Sequence, residues 1–289
     1  MKQAILVGIN DYPGWENDLT QCVNDATKWG NFLQSLGYQC NYIFNANATW
    51  ARVTGDLKTM IDNASAEDNL VFFYSGHGSY EWDLNNDEAD GWDEVLCLYD
   101  QDFLDDDFRK ILNNLKSSMT VILDCCFGGT GTRLMSNDVG LKRKFRQPKT
   151  DMPLTAKRSK SFLSDEAMPE ILLSACSDDE YSYEDENGGL FSRFALNILN
   201  ELYPIDYNAF GTKISGHLPS RKYPQTPQIE GSSENKAGVM FGGKESPPDP
   251  PPTPDPPPPP DDSESWCTCF RAIKKHYLKL KRKLRSKNG

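Results

Sequence analysis

The chain has 289 residues and 38% of them are hydrophobic, which allows one large domain or two modest ones with a sizeable core. Its net charge is −11, but residues 266–289 carry nine Lys and Arg and no acid, so the remainder holds 22 bases against 42 acids. An acidic body argues against nucleic acid as the main partner and favours a basic substrate.

The eight cysteines follow neither a disulfide framework nor a zinc-ribbon spacing. The apolar start of the chain is too short for a signal peptide, and no apolar run is long enough to span a bilayer. We therefore expect a cytoplasmic protein with reduced thiols.

Strands and helices alternate along the sequence. Apolar, β-branched runs predict strands at 4–9, 40–44, 69–75, 120–124 and 171–176, and the first of these is expected to be central. Helical spacing predicts helices at 19–36, 50–64, 108–115 and 190–199. The alternation indicates an α/β fold with a mostly parallel central sheet and helices on both faces.

The predicted domain covers residues 1–243 and contains a long segment, 127–168, with nine Lys and Arg and no periodicity. We interpret this segment as a flexible basic loop between two parts of the domain. Residues 244–265 are rich in proline and predict a stiff linker. Residues 266–289 predict a basic amphipathic helix, with apolar positions at Phe270, Ile273, Tyr277, Leu280 and Leu284.

Two of the predicted strands end in residues that can carry chemistry. One is followed by His77 between two glycines, and the other by Asp124, Cys125 and Cys126 before a glycine pair. In an open α/β sheet, functional groups collect at the carboxyl ends of strands. A free thiol is only a few per cent thiolate at neutral pH and needs a partner, so the pattern predicts a Cys/His nucleophilic enzyme. The alternative is a structural histidine.

These segments also carry a family resemblance. Residues 74–78 read Tyr-Ser-Gly-His-Gly and residues 124–129 read Asp-Cys-Cys-Phe-Gly-Gly, which resembles the caspase-fold cysteine peptidases, and specifically the metacaspases. The histidine leads the cysteine by about fifty residues, the caspase separation. Further segments resemble the family in its order: 5–10, 22–26, 87–94, 104–107, 189–192 and 223–228. The resemblance implies a caspase-like three-layer sandwich.

The resemblance assigns Cys126 as the nucleophile and His77 as the acid/base that protonates the leaving amine. The backbone N–H groups of Gly78 and Cys126 are the expected oxyanion donors. Cys125 is expected to point into the sheet. No cofactor is required for this chemistry.

A specificity pocket follows from the same resemblance. Cys22, Asp25, Ser75 and Asp124 occupy positions that resemble the metacaspase pocket for the residue before the cleaved bond. Two converging carboxylates call for a cation, so we expect protein or peptide substrates cleaved after Arg, and less well after Lys. The alternative is that Asp25 caps or pairs within its own helix.

The stretch 80–107 is densely acidic and has two interpretations. It can be a solvated loop, or its carboxylates can bind Ca²⁺ as an activator. Asp93, Asp105 and Asp106 resemble calcium-binding positions of some metacaspases. A further family position falls near Arg133, which cannot ligate.

The basic loop offers bonds that such an enzyme cuts. We expect self-cleavage within about residues 142–160, because proteolysis favours exposed, flexible segments. The candidate residues before the cut are Lys142, Arg143, Lys144, Arg146, Lys157 and Arg158. The alternative is a solvated linker that stays intact.

The C-terminal helix leaves several functions open. It can dock on an anionic membrane or an acidic partner, with Trp266 and Phe270 inserting and Cys267 and Cys269 lipidated, or fold back on the acidic body. Two rival functions accompany the peptidase: a scaffold that binds without cleaving, and a membrane-acting effector in which this helix is the active part. The expected location is cytoplasmic, with membrane association through the helix.

Overall fold

A computed structural model describes residues 1–83, 92–127, 140–148, 168–177, 180–218 and 225–242. The strands are β1 (Lys2–Gly8), β2 (Gln39–Phe44), β3 (Asn69–Ser75), β4 (Gly78–Trp82), β5 (Trp92–Cys97), β6 (Asp102–Leu104), β7 (Ser118–Asp124), β8 (Lys142–Arg143), β9 (Ile171–Ser174), β10 (Tyr183–Asp185), β11 (Gly188–Gly189) and β12 (Gln228–Glu230). The helices are α1 (Cys22–Ser35), α2 (Trp50–Asp62), α3 (Asp105–Leu112), α4 (Leu190–Leu202), α5 (Tyr207–Ile214) and α6 (Ser233–Ala237).

Six strands form the central sheet in the order β12-β9-β7-β3-β1-β2. All neighbours are parallel except β12, which runs antiparallel to β9. The predicted central position of the first strand is wrong, because β1 lies next to the edge strand β2. The middle of the sheet is formed by β3 and β7, whose residues are almost all buried.

Helices cover both faces of the sheet, which confirms the predicted α/β class. On one face, α2 and α3 contribute Val53, Leu57, Phe108 and Leu112 to a core that includes Phe72 of β3. On the other face, the apolar stripes of α1, α4 and α5 pack around Val71, Phe73 and Ile122. Alternating residues of one parallel strand thus face two cores.

Helix α3 begins three residues before the predicted start. Its first turn holds Asp105, Asp106 and Asp107, and carboxylates are favourable near the N-terminus of a helix. In the part of the chain that the structure describes, no helix is long and apolar enough to cross a membrane.

Two small sheets flank the central one, with strand orders β4-β5-β6 and β11-β10-β8. Strand β8 falls inside the segment predicted to be a flexible loop, so residues 142–143 differ from that prediction. They are ordered because they pair antiparallel with Tyr183 and Glu184 of β10. Outside the described residues lie the acidic stretch 84–91, most of the basic loop with Lys157 and Arg158, the linker 244–265 and the basic helix 266–289.

Candidate active site

The parallel register of β3 and β7 brings the histidine and the cysteine to the same edge of the sheet. Ser75 is the partner of Asp124 at the ends of the two strands, and His77 and Cys126 each follow two residues later. Both are buried, with exposed fractions of 4% and 1%. The carboxyl ends of two adjacent central strands therefore form the site.

Hydrogen bonds fix the orientation of His77. Its backbone N–H donates to the Tyr12 hydroxyl at 2.8 Å, and its ring Nε2 lies 2.7 Å from the carbonyl oxygen of Asn17. A carbonyl oxygen only accepts, so Nε2 carries the proton and Nδ1 is left as the acceptor. Within the described residues, Nδ1 is buried and has no hydrogen-bond partner. This is the tautomer that can take a proton from a thiol.

The two adjacent cysteines have different surroundings. Cys125 packs in the core on one face of the sheet. Its side chain was expected to point into the sheet. Cys126 instead lies in a small cluster with Cys176, Tyr181 and Leu190. The Cys126 Sγ lies 3.2 Å from the carbonyl oxygen of Lys144, in the basic segment.

Burial keeps both reactive groups neutral in this state. It lowers the pKa of His77 to about 4, with the nearby Arg146 and Lys144 cations acting in the same direction. Burial also raises the pKa of Cys126 to about 12. The resting pair is therefore a thiol and a neutral imidazole rather than an ion pair.

The predicted pocket residues come together around the side chain of Lys144. Its Nζ lies 3.1 Å from Asp25 Oδ2 and 3.1 Å from Asp124 Oδ2, and it donates to Ser75 Oγ at 2.9 Å. The Lys144 side chain is 0% exposed. Cys22 begins α1 beside this pocket, and its thiol lies 3.7 Å from Glu184 Oε2.

The two pocket carboxylates are held in place by fixed donors. Asp25 accepts from the backbone N–H of Gly189 at 3.0 Å, and Asp124 accepts from Ser192 Oγ at 2.6 Å and Ser182 Oγ at 3.0 Å. The alternative that Asp25 caps or pairs within its own helix does not describe these contacts, because its partners come from outside α1. Donors outside the Lys144 segment therefore fix the positions of both carboxylates.

The charge balance in the pocket favours a protonated amine. Burial alone lowers the pKa of Lys144, but the surrounding acids, led by Asp124 and including Asp25 and Glu184, outweigh it and raise that pKa well above its ordinary value. A buried ammonium is tolerated only with such paired, hydrogen-bonded partners.

The backbone of Lys144 lies where a cleavable bond is expected. Its carbonyl oxygen accepts from the N–H of Gly78 at 3.1 Å and from the N–H of Cys126 at 3.3 Å, the two predicted oxyanion donors. Its own N–H donates to Ser182 O at 2.9 Å, continuing the pairing of β8 with β10. A peptide that adds a strand to an exposed strand edge is a common mode of substrate binding.

The other candidate cleavage residues lie elsewhere. Lys142 is exposed, and the guanidinium of Arg143 stacks 4.4 Å from the centre of the Tyr181 ring. Arg146 pairs with Asp102 at 2.5 Å. Lys157 and Arg158 lie outside the described residues, so among the described candidates only Lys144 enters the acidic pocket.

The acids proposed for calcium lie on two adjoining elements. Asp93 is on β5, and Asp105 and Asp106 open α3, directly after β6, which pairs with β5. Asp93 and Asp105 each bury a carboxylate oxygen. Among the described residues, no three His, Cys, Asp or Glu side chains are grouped so as to hold a metal ion. Calcium binding stays a prediction.

Several residues of the site were not found from the sequence. Asn17 acts through its backbone carbonyl, which has no side-chain signal. Glu184 is buried and accepts from the N–H and the hydroxyl of Thr20 at 2.7 and 2.8 Å, but in the sequence it is one of several acids at 178–186. Gly189 leaves no room for a side chain, because a Cβ there lies only 2.5 Å from Lys144 Nζ. The adjacent glycines at 188–189 were the available signal.

Comparison with known proteins agrees with the geometry. Residues 1–237 match the caspase domain family. Metacaspase-1 of Scheffersomyces stipitis is 28% identical over 83% of this chain and 73% of its own length. Metacaspase-1 of Meyerozyma guilliermondii is 35% identical over 46% of this chain, and Metacaspase-3 of Arabidopsis thaliana is 31% identical over 45%. The aligned parts make up only 36% and 40% of those two proteins.

Solved structures show the same fold. The Geobacter sulfurreducens protein GSU0716 aligns with a TM-score of 0.65 and 24% identity, over 83% of this chain and 98% of that chain. Caspase-1 from Spodoptera frugiperda aligns with a TM-score of 0.50 and 12% identity, over 80% of this chain and 86% of that chain. The chain therefore belongs to the caspase domain family, as a metacaspase-like cysteine peptidase.

Proposed function

We propose that the protein is a cysteine endopeptidase that cleaves after Lys and Arg, and that its first substrate is its own Lys144–Phe145 bond. One observation carries this proposal. The Lys144 side chain is paired with Asp25 and Asp124, while its carbonyl oxygen accepts from Gly78 and Cys126 beside the Cys126 thiol. Side chain and backbone together have the arrangement of a bound substrate.

The proposed reaction uses the groups at the ends of β3 and β7, and the Cys126 thiol turns from the Lys144 carbonyl oxygen, its partner in the resting state, toward His77 Nδ1. His77 Nδ1 takes the thiol proton of Cys126 as the sulfur attacks the carbonyl carbon of Lys144. The resulting oxyanion accepts from the Gly78 and Cys126 N–H groups. The bond to Phe145 breaks, its nitrogen takes the proton from His77 and leaves as an amine, and Lys144 remains as a thioester on Cys126. Water, deprotonated by His77, then releases a carboxylate and restores the thiol.

Preorganisation supports this chemistry more than ionisation does. The neutral imidazole has its proton on Nε2, bound to the Asn17 carbonyl, so Nδ1 is the acceptor from the start. The raised pKa of Cys126 means that proton transfer accompanies the attack, and the buried site strengthens the oxyanion hydrogen bonds.

The segment around Lys144 also covers the site. While Lys144 stays in the pocket, no other substrate can place a cation there, so the uncut protein is a self-occluded precursor. Cleavage separates Phe145 from Lys144, so that the chain end at Lys144 is released from the acidic pocket and the chain end at Phe145 from the opposite side of the site. The resting form is then a zymogen that its own nucleophile activates.

Arg and Lys are both proposed because the pocket offers two carboxylates and a hydroxyl acceptor around one cation. A guanidinium has several donors that can bind such oxygens at once. An acidic side chain in the same position meets two carboxylates, and that repulsion excludes cleavage after Asp.

Fluorogenic peptides test the proposed specificity. We expect cleaved parent protein to hydrolyse Lys and Arg substrates at least about 100-fold faster than the matched Asp substrate, since leaving a buried charge unpaired costs roughly 3–5 kcal/mol. Cys126→Ala is the inactive control. Preference for Asp, or equal turnover by Cys126→Ala, contradicts the proposal.

Calcium takes no step in this chemistry. Its predicted role is activation through Asp93, Asp105 and Asp106, whose hard oxygen atoms suit Ca²⁺. Measuring the same turnover with added Ca²⁺ and with excess chelator tests it, and equal rates reject the prediction.

A further inference from the structure

The chain beyond the proposed cleavage bond is held as firmly as the chain before it. Gly78 forms a parallel bridge with Phe145. Its N–H donates to Lys144 O at 3.1 Å, and its carbonyl accepts from the Arg146 N–H at 3.0 Å. A Cβ on Gly78 collides with the Cys126 carbonyl, so the close approach requires glycine. One residue thus fixes the backbone on both sides of the bond.

Phe145 lies between two buried aromatic rings. Its ring centre is 6.0 Å from that of Tyr80 on β4 and 5.6 Å from that of Tyr181, both within the range of favourable aromatic pairs. Tyr80 and Tyr181 form the two walls of a groove around Phe145, and each packs on a second ring. The ring centres of Tyr80 and Trp92 are 5.4 Å apart, and those of Tyr181 and Tyr183 are 6.3 Å apart. Both rings of this groove, Tyr80 and Tyr181, therefore have packing partners other than Phe145.

Arg146 meets a buried carboxylate. Its Nη2 lies 2.5 Å from both oxygens of Asp102, and Asp102 is only 5% exposed. Asp102 opens β6 and is held opposite Cys97 of β5, so its backbone position is set by the small sheet. Hydrogen bonds between ionised partners are about twice as strong as neutral ones. A fixed, buried acid at this point favours a cation.

We propose that the enzyme recognises the two residues that follow the cleaved bond, an aromatic ring between Tyr80 and Tyr181 and then a cation on Asp102. This inference rests on the proposed endopeptidase function and names its substrate class: exposed protein segments with Lys or Arg, an aromatic residue and a basic residue in succession. Phe145 and Arg146 are the internal example. After self-cleavage the new chain end at Phe145 and Arg146 leaves the groove, while the rest of its fragment, which carries Tyr181, stays paired with β7 through β9.

The contrasting interpretation is that Phe145 and Arg146 only anchor the segment to the body. An anchor has no effect on separate peptides, whereas a binding groove discriminates among them. The rates at which separate peptides are cleaved therefore distinguish the two interpretations.

The test uses internally quenched peptides that are identical up to a Lys at the cleavage position. The two following residues are Phe-Arg, Phe-Ala, Ala-Arg or Phe-Glu. For cleaved parent protein we expect kcat/KM for Phe-Arg to exceed Phe-Ala and Ala-Arg by about tenfold each, with Phe-Glu the slowest. In Asp102→Asn, the ratio of Phe-Arg to Phe-Ala falls to about one.

Asp62→Asn is the matched control, because Asp62 is an exposed acid on α2 paired with Lys58. It is expected to keep the parent ratio. Equal cleavage of all four peptides by the parent overturns the inference and leaves the proposed function standing. No cleavage of any peptide, together with no self-cleavage, contradicts the proposed function and removes the inference with it. If Asp102→Asn does not fold, the parent series alone decides.

Discussion

Two cations of one segment, Lys144 and Arg146, lie on opposite sides of the same peptide bond in different environments. Lys144 is fully buried between Asp25 and Asp124, which are themselves 1% and 0% exposed. Arg146 is 19% exposed, and its partner Asp102 is 6% exposed. Both make short ion pairs, but only the first is removed from water at every atom.

This difference in burial indicates that the Lys144 contact has the larger effect on cleavage and the Arg146 contact the smaller one. Removing one partner of a fully buried ion pair is costly, because the remaining charge is left unpaired and unsolvated. A pair with one partly exposed partner keeps some contact with water, so breaking it is expected to cost less. We therefore expect the Lys144 pocket to act as a requirement for cleavage and the Arg146 contact as a preference.

Removing each cation in turn has the largest expected effect. Lys144→Met is expected to slow self-cleavage at residue 144 by about 100-fold or more, because two buried carboxylates lose their partner. Arg146→Met is expected to slow it by about tenfold at most. Intact mass after timed incubation measures both. Lys144→Arg is the matched control and keeps the cut. Equal losses in Lys144→Met and Arg146→Met contradict the distinction.

Narrowing the deep pocket has the next largest effect. In Gly189→Ala the new methyl group collides with the Asp124 carboxylate and comes within 2.5 Å of Lys144 Nζ. We expect at least about a tenfold loss in kcat/KM on Lys peptides. Gly55→Ala is the control, because nothing lies within 4 Å of its added Cβ and it sits in helix α2. Gly55→Ala is expected to keep full activity and to gain up to about 1 kcal/mol of stability. Similar kinetics for the two variants contradict the pocket geometry.

The pKa of His77 is expected to respond more strongly to Arg146 than to Lys144, the opposite of the order expected for cleavage. Both lower its pKa after burial does, and Arg146 has the larger influence. In a Cys126→Ala background, which keeps the chain uncut, we expect the His77 pKa near 4 by NMR titration. It is expected to rise more in Arg146→Met than in Lys144→Met. A larger rise in Lys144→Met contradicts the arrangement around the ring.

The same pKa predicts how stability depends on pH. A histidine with a lowered pKa in the folded state stays neutral there while the unfolded chain takes up a proton below about pH 6.5. Folding stability is therefore lost as the pH falls from about 6.5 to about 4, by about 3 kcal/mol in all at roughly 1.4 kcal/mol per pKa unit. Denaturant unfolding of Cys126→Ala against Cys126→Ala/His77→Gln measures it. Parallel pH profiles for the two proteins contradict it.

Salt gives the smallest expected effect and separates the two contacts directly. Raising ionic strength from about 0.1 M to about 1 M shortens the screening length from about 10 Å to about 3 Å. The preference for Arg over Ala two residues after the cut is expected to fall severalfold. The preference for Lys over Ala before the cut is expected to stay within about twofold, because that pair is buried. An equal fall in both preferences contradicts the difference in burial between the two ion pairs.

The sequence predicted the parts of this site that local pattern controls. Buried β-branched runs identified β3 and β7, and parallel strands that end together bring His77 near Cys126. It also grouped Asp25 with Asp124, through residues that resemble a known pocket. It placed β1 at the centre of the sheet, because an apolar strand alone does not indicate which neighbours it pairs with.

The sequence did not predict that Lys144 occupies the pocket. Lys144 was one of six basic candidates, and nothing in their spacing distinguishes it from Arg143 or Lys157. Its selection depends on the pairing of the two-residue strand β8 with β10, about forty residues away. Such a short, non-local pairing leaves no periodic signal. Asn17 was missed because every residue has a backbone carbonyl.

Cys126 is expected to cut the bond after Lys144, and the intact mass of the purified protein shows whether it does. After incubation, the parent is expected to yield one fragment ending at Lys144 and another beginning at Phe145. Cys126→Ala is expected to stay at full length, and Lys144→Arg to cut at the same bond. A parent that stays whole, or that gives the same fragments as Cys126→Ala, contradicts self-cleavage by Cys126.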